Sequence, residues 1–314
     1  MLRTLALAAA FAAAAVTGAQ AQTVGLGTTK GGATAQISTA LASVISGGSD
    51  LMVRPQALAN TSQYLPLVDS GRLDFGIANY PQTSYAINGT GMSEGQPNPN
   101  IQMVATLVPF NAGLLVPSSL GITDIAGLAG KRVPRFPAGS LGDTVISAVL
   151  ATAGLTYDDV ESVPTANFPA MFQGVKDGTT DVTIAAIGSK PTFDIEAALG
   201  GVTFLNLKEG DGEVLDAALP GTKLRYWKGR KAAPGANDDT VVFYYPYTLF
   251  ANKDVSDEVV TKVLTALYEG EAALKANGPL WAEFTPEGMA EVGSLPYHPA
   301  AIAYYESKGI WAGE

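Results

Sequence analysis

The chain has 314 residues with no cysteine, a single histidine and a formal net charge of −10. Without cysteine there are no disulfides, thiol nucleophiles or thiolate metal sites, and one histidine leaves a metal only carboxylates, none spaced as in a calcium loop. The acidic balance repels phosphate backbones, so the expected partners exclude nucleic acid, and no metal or cofactor is expected.

The first residues read as an export signal. Arg3 supplies a positive start, residues 5–16 are an unbroken apolar run, and Ala19-Gln20-Ala21 is a small-x-small cleavage site. Residues 1–21 are therefore read as a cleavable signal peptide and the mature protein is placed in the periplasm. The run is about a dozen residues, short of the roughly 20 that cross a bilayer, and no later stretch reaches that length without Gly, Pro or charge. A mature chain of about 290 residues is long enough for two cores.

From Thr23 the apolar pattern alternates strand and helix: strand over 23–27, helix over 34–45, strand over 51–54, helix over 61–69, strand over 75–78. Such βα units build a mostly parallel sheet whose C-terminal edge carries ligand-facing loops. The grammar restarts after a Gly-, Pro- and Asn-rich loop over 88–100 and a β-rich stretch over 101–116. It then gives helices over 143–153 and 168–176 and a buried strand over 181–186. Residues 209–239 lose periodicity amid Gly, Pro and charge and read as a surface excursion, before a strand over 241–251 and helices over 257–276 and 299–308.

The terminal helices have no sheet of their own, so they are expected to return to the first half. That organisation gives an α/β chain of two lobes, each a mostly parallel sheet flanked by helices. Residues 22–110 and 249–314 form the discontinuous first lobe and 111–248 the second, with crossings near 109–113 and 245–249.

Candidate binding residues sit where strands end and helices begin. The Gly-rich turn over 25–34 exposes free N–H groups and the positive end of a helix dipole, with Thr28, Thr29 and Thr34 beside it. It lacks both G-x-G-x-x-G and the G-K-[ST] ending of a phosphate loop. Asn60 and Thr61 open the second helix, and Ser140 opens a third in the other lobe. Asn79 and Tyr80 follow one buried strand, and Gly188 and Ser189 follow another. Arg135, directly after a strand, is placed to fork onto a carboxylate, with Phe136 next to it. Three helix starts sharing one gap suit a small polar or anionic solute. Aromatic residues recur near the crossings and loop tips, namely Tyr80, Phe136, Phe168, Tyr244, Tyr245 and Tyr247, to pack an apolar part of a ligand or the core. His298, in Leu295-Pro296-Tyr297-His298-Pro299, reads as structural, and no G-x-S-x-G elbow is present.

Several segments together resemble the TAXI-type solute receptors of tripartite ATP-independent periplasmic (TRAP) transporters. They are Gly27-Thr28-Thr29-Lys30-Gly31-Gly32-Ala33-Thr34, Ser70-Gly71-Arg72-Leu73-Asp74-Phe75-Gly76-Ile77-Ala78-Asn79, Tyr85-Ala86-Ile87-Asn88-Gly89-Thr90-Gly91, Leu128-Ala129-Gly130-Lys131-Arg132-Val133, Gly139-Ser140, Asp177-Gly178-Thr179-Thr180-Asp181-Val182 and Tyr297-His298-Pro299-Ala300-Ala301-Ile302. The resemblance implies a two-lobed type II periplasmic-binding fold. It also implies a small organic acid as ligand and docking on the integral membrane subunits of a TRAP transporter. This chain departs from the family at Ala33-Thr34-Ala35-Gln36, where two aromatics are usual, and at Ala59-Asn60-Thr61, where Gly-Gly-Ser is usual. Arg135 and Phe136 stand where smaller residues are common, so an altered pocket is implied.

Three functions are compatible with these residues. The first is a monomeric binding receptor that delivers a small-molecule ligand to a transporter. The second is a receptor that signals its liganded shape to a membrane protein, and the third is an exported enzyme using Asp74, Asp143 or Asp181.

Overall fold

The computed structural model describes residues 21–291 and 293–313. The leader expected over 1–21 lies outside them except for Ala21. In chain order the first elements are β1 (Gln22–Thr29), α1 (Gly32–Gly48), β2 (Leu51–Leu58), α2 (Thr61–Asp69), β3 (Phe75–Asn79), α3 (Tyr80–Asn88) and β4 (Ile101–Pro117). Next come β5 (Arg132–Arg135), α4 (Leu141–Thr152), β6 (Glu161–Pro164), α5 (Phe168–Lys176), β7 (Thr183–Ala186), α6 (Lys190–Leu199), β8 (Val202–Phe204), α7 (Asp211–Ala218) and β9 (Lys223–Tyr226). The chain closes with β10 (Val241–Asn252), α8 (Asp257–Glu269), α9 (Glu271–Ala276) and α10 (Pro299–Lys308).

One mixed sheet runs β2-β1-β3-β10-β4-β7, with β8 on β4 and β9 on β10, and β5 and β6 form a separate parallel pair. β1 is parallel to both β2 and β3, while β10 runs antiparallel to β3 and β4. The strands β4 and β10 belong to both halves. β3 pairs with β10 over Phe75–Asn79, whereas β7 and β8 pair with the far end of β4.

Packing follows the same division. Ile37 and Leu41 of α1 share an apolar cluster with Leu107 and Leu249, with Val263 of α8 and with Tyr305 of α10. Burying four such aliphatic side chains on one helix stabilises it by roughly 6–12 kcal/mol before the entropy of ordering is counted. A second cluster joins Ala112, Leu114, Phe243 and Tyr245 to Val145 and Ile146 of α4. Phe110 packs against both clusters, which places the crossing on the middle of β4 and β10.

Successive side chains of a strand point to opposite faces, so β10 sorts the helices. On the face of Phe243, Tyr245, Tyr247 and Leu249 lie α1 and α4. On the face of Val242, Tyr244, Pro246, Thr248 and Phe250 lie α2, α3 and α6: Tyr64 packs with Phe250, the Thr83 and Thr248 hydroxyls pair at 2.9 Å, and Ile195 packs with Val242.

Several features differ from expectation, among them the antiparallel pairing of β7, β8 and β9 where a mostly parallel second-lobe sheet was expected. The segment 209–239 is not wholly irregular but contains α7 and β9, with β9 extending the sheet beyond β10. α3 and α6 were not expected, because each carries a proline in its first turn, Pro81 and Pro191. There the missing N–H costs nothing and the fixed φ suits the helix. The helix expected over 257–276 breaks at Gly270, where any Cβ would meet Val44 at 2.5 Å. Finally, the two lobes share one sheet through β4 and β10.

Candidate functional site

The parallel strands β1, β2 and β3 all end on the edge of the first lobe that faces the second. α1 leaves β1 on one face of the sheet and α3 leaves β3 on the other, so the chain diverges between these neighbouring strands. Such a divergence opens a crevice outside the carboxyl ends of the strands. The turns bordering it carry Thr28, Thr29, Asn79 and Tyr80.

α1 begins with Gly31 as its N-cap, without a side-chain cap and without an acid in its first turn. Gly32, at φ 78°, opens the helix in a conformation that favours glycine, and a side chain at either glycine would meet nothing within 4 Å. α2 follows its N-cap Asn60, also without a side-chain cap to the backbone and without an acid in its first turn; the Asn60 Oδ1 instead accepts from the Ser62 hydroxyl at 2.8 Å. The Lys30 N–H donates to the Leu58 carbonyl at 3.0 Å and ties the two turns together. Two neighbouring helix starts thus offer free N–H groups and aligned dipoles to an anion.

Side chains around these turns are partly engaged. Thr28 donates to the Thr34 carbonyl at 3.2 Å and Thr29 donates to the Gly31 carbonyl at 2.8 Å. Asn79 caps α3 by accepting the Gln82 N–H at 3.0 Å, and donates to Gln82 Oε1 at 2.8 Å. The Thr61 hydroxyl lies 3.4 Å from the same Oε1, so Gln82 links the starts of α2 and α3. Nothing in the sequence marked Gln82, because its role follows from the unexpected helix α3.

The second lobe contributes less than expected. Ser140 accepts the Asp143 N–H at 3.5 Å and the Asp143 carboxylate accepts the Gly139 N–H at 3.1 Å, so α4 brings its own anion to its first turn. Arg135 is turned onto the Tyr157 ring, 4.3 Å from its centroid, rather than standing free to meet a carboxylate. Phe136 is 5% exposed and packs on Phe168 at 5.1 Å between ring centroids, so it fills the core instead of lining a pocket. Tyr80 is likewise buried, its hydroxyl accepting the Ser294 N–H at 3.0 Å. Gly188 (φ 72°) and Ser189 open α6 on the opposite face from α4, with the Ser189 and Thr192 hydroxyls paired at 3.0 Å.

Between the lobes lies an aromatic group that the sequence marked only in part. Phe110 stacks on Tyr245 and meets Tyr247 edge-on, each at 5.6 Å. Burial pushes Tyr247 up to about 12, a bond with the Thr34 side chain partly offsetting it, and burial holds Tyr245 well above the usual phenol range. Both hydroxyls are therefore neutral donors. Tyr245 is only 2% exposed.

Free N–H groups and neutral hydroxyls make an acceptor-rich solute the natural occupant. The three carboxylates that an enzyme would have used are otherwise occupied. Asp74 accepts the Gly25 N–H at 2.7 Å, Asp143 caps α4, and Asp181 accepts the Arg132 N–H at 2.8 Å and its side chain.

A two-lobed α/β chain crossed by two strands, with a crevice at the strand ends, is a type II periplasmic-binding-protein fold. The chain belongs to the NMT1-like family, whose model matches residues 26–309. Among solved structures it is similar to MatC from Rhodopseudomonas palustris with bound malate, at 14% identity, covering 82% of this chain and 87% of that one with a TM-score of 0.55. It is also similar to PhnD1 from Prochlorococcus marinus in complex with methylphosphonate, at 12% identity with the same coverages and a TM-score of 0.54. A third is a binding protein component of an ABC phosphonate transporter from Pseudomonas aeruginosa, at 9% identity, covering 82% and 78% with a TM-score of 0.51. At these identities the likeness is one of fold. No curated protein matches the chain in sequence.

Proposed function

We propose that this protein is an exported solute-binding protein that closes its lobes over a small anionic solute, most simply one bearing a carboxylate, and delivers it to a membrane transporter. The carrying observation is the pair of uncapped, acid-free helix starts, α1 and α2, at neighbouring strand ends on the edge facing the second lobe. The architecture accommodates such ligands, since MatC holds malate and PhnD1 holds methylphosphonate. A binding role is further supported by the engagement of Asp74, Asp143 and Asp181 in backbone hydrogen bonds.

The membrane partner we infer is a TRAP-type secondary transporter, on the strength of the segments that resemble TAXI-type receptors. Among the described residues no helix is long and apolar enough to cross a membrane, so translocation falls to that partner. The protein lacking residues 1–21, screened by thermal shift against small carboxylates, phosphonates, sulfonates and amino acids, tests the binding role. A bound solute at 100 times its dissociation constant stabilises the fold by about 2.7 kcal/mol. No shift with any member of the panel would count against the reading.

A further inference from the structure

A group of side-chain hydrogen bonds and ion pairs that joins the lobes lies on one face of the sheet. Glu283 of the first lobe accepts from Asn111 at 3.0 Å, on β4 at the crossing, and is paired with two cations of the second lobe, Arg230 at 2.9 Å and Arg225 at 4.0 Å. Arg225 also donates to Asn111 at 3.0 Å and lies 3.9 Å over the Tyr244 ring. Lys223 reaches Glu291 at 3.7 Å. Arg225 and Lys223 stand opposite Val242 and Tyr244 on β10, which puts them on the face of Pro246 and not on that of Tyr245.

The opposite face holds the start of α1, the aromatic group and α4. Two bodies joined by a pair of strands turn about those strands, so narrowing the gap on one face widens it on the other. A cavity of about 170 Å³ lies behind the crossing, lined by Pro109, Pro246, Tyr244, Arg225, Glu283 and Thr285. The side chains of Glu283, Arg225 and Arg230 are each no more than a third exposed, so their attraction is screened less than that of a free surface pair.

We propose that Glu283, Arg225 and Arg230 form a rear latch that holds the lobes apart on the α1–α4 face. Closure over a solute must stretch this latch, so its strength sets the fraction of closure-competent molecules and with it the apparent affinity. This rests on the binding reading only for its consequence, since the latch itself acts with no solute present.

The cysteine-free chain allows a clean distance measurement. Spin labels on Thr39→Cys in α1 and Ala151→Cys in α4, both exposed positions, report the gap on the binding face. In the unliganded protein, Glu283→Gln and Arg230→Gln are each expected to shift the distance distribution toward shorter values. Any solute that binds the wild type should bind these variants about three- to tenfold more tightly. Unchanged or longer distances in both variants, with melting as in the wild type, would overturn the latch. That result is read without solute, so it is separable from a failure to find a ligand.

Discussion

Pro109 of β4 stands directly opposite Pro246 of β10, at the point where the chain passes from one lobe to the other. Neither residue can donate to the ladder, and each fixes its own φ. Toward the first lobe the pairing slips by one residue, so that Thr248 faces Thr106, and such a bulge adds local bend and twist. The crossing is thus built from backbone with few donors and restricted torsions, suited to bending in one place.

The proline pair gives a measurable effect on stability. Replacing Pro109 or Pro246 by alanine should lower stability by about 0.4–1 kcal/mol, mainly through a more flexible unfolded chain. Urea denaturation with an unchanged m-value would show this, and a larger loss would mean that these prolines also carry packing.

His298 illustrates a polar group that closes a helix start. Its Nδ1 accepts the Ala300 N–H at 3.2 Å, its Nε2 lies 3.0 Å from the Val255 carbonyl, and the residue is 2% exposed. The first contact fixes the proton on Nε2, which then donates to Val255. His298→Ala should lose about 1–3 kcal/mol, because a cap disappears and a buried carbonyl is left unpaired. The same denaturation assay checks it.

Alkaline behaviour follows from the buried phenols. Of the 12 tyrosines, Tyr247 and Tyr297 are pushed up to about 12 by burial, and Tyr64, Tyr245 and Tyr305 are also raised strongly. Their folded pKa values exceed the unfolded value of about 10, so the neutral form is favoured in the fold. That contribution is complete below pH 10 and is lost as pH rises through the folded values. Absorbance titration at 295 nm should show these phenols ionising only together with loss of tertiary structure. Smooth ionisation of all 12 near pH 10 in the folded protein would be inconsistent with their burial.

Acid behaviour has the opposite sign. Burial opposes ionisation of Asp181, yet the bonds from the Arg132 side chain and backbone together hold the carboxyl below its usual range. Its contribution is present above the unfolded value of about 3.9 and fades as pH falls through the folded value. Asp181→Asn should therefore flatten the drop in melting temperature below pH 4, and a wild-type slope in that variant would assign the acid sensitivity to other carboxylates.

Much of this architecture is legible in the residues themselves. The 3.6-residue pattern of Ile37, Leu41, Val44 and Ile45 marks α1, and the apolar run at Phe75–Ala78 marks β3. Proline obscured α3 and α6, since Pro81 and Pro191 look like breakers unless the helix is known to start just before them. Site residues were harder to read, because a strand end does not reveal which way a side chain turns. Arg135 and Phe136 are adjacent, yet one lies on Tyr157 at the surface and the other fills the core. Ser140 reads as a free helix start until Asp143 is seen to fold back on Gly139. Phe110 and Glu283 had no local signal, because their partners lie far away in sequence.

The most direct test concerns Gly31, the exposed N-cap of α1, whose extended φ of −164° suits any residue and whose added Cβ meets nothing within 4 Å. Gly31→Asp would place a carboxylate where the solute's own charge is expected, and should leave stability unchanged or a few tenths of a kcal/mol higher. Titration calorimetry of wild type and variant with the solutes that stabilise the wild type should show binding weakened by about tenfold or more, consistent with about 1.4 kcal/mol or more. Equal affinity in the two proteins would contradict the account, because the anion would then be held somewhere other than the start of α1.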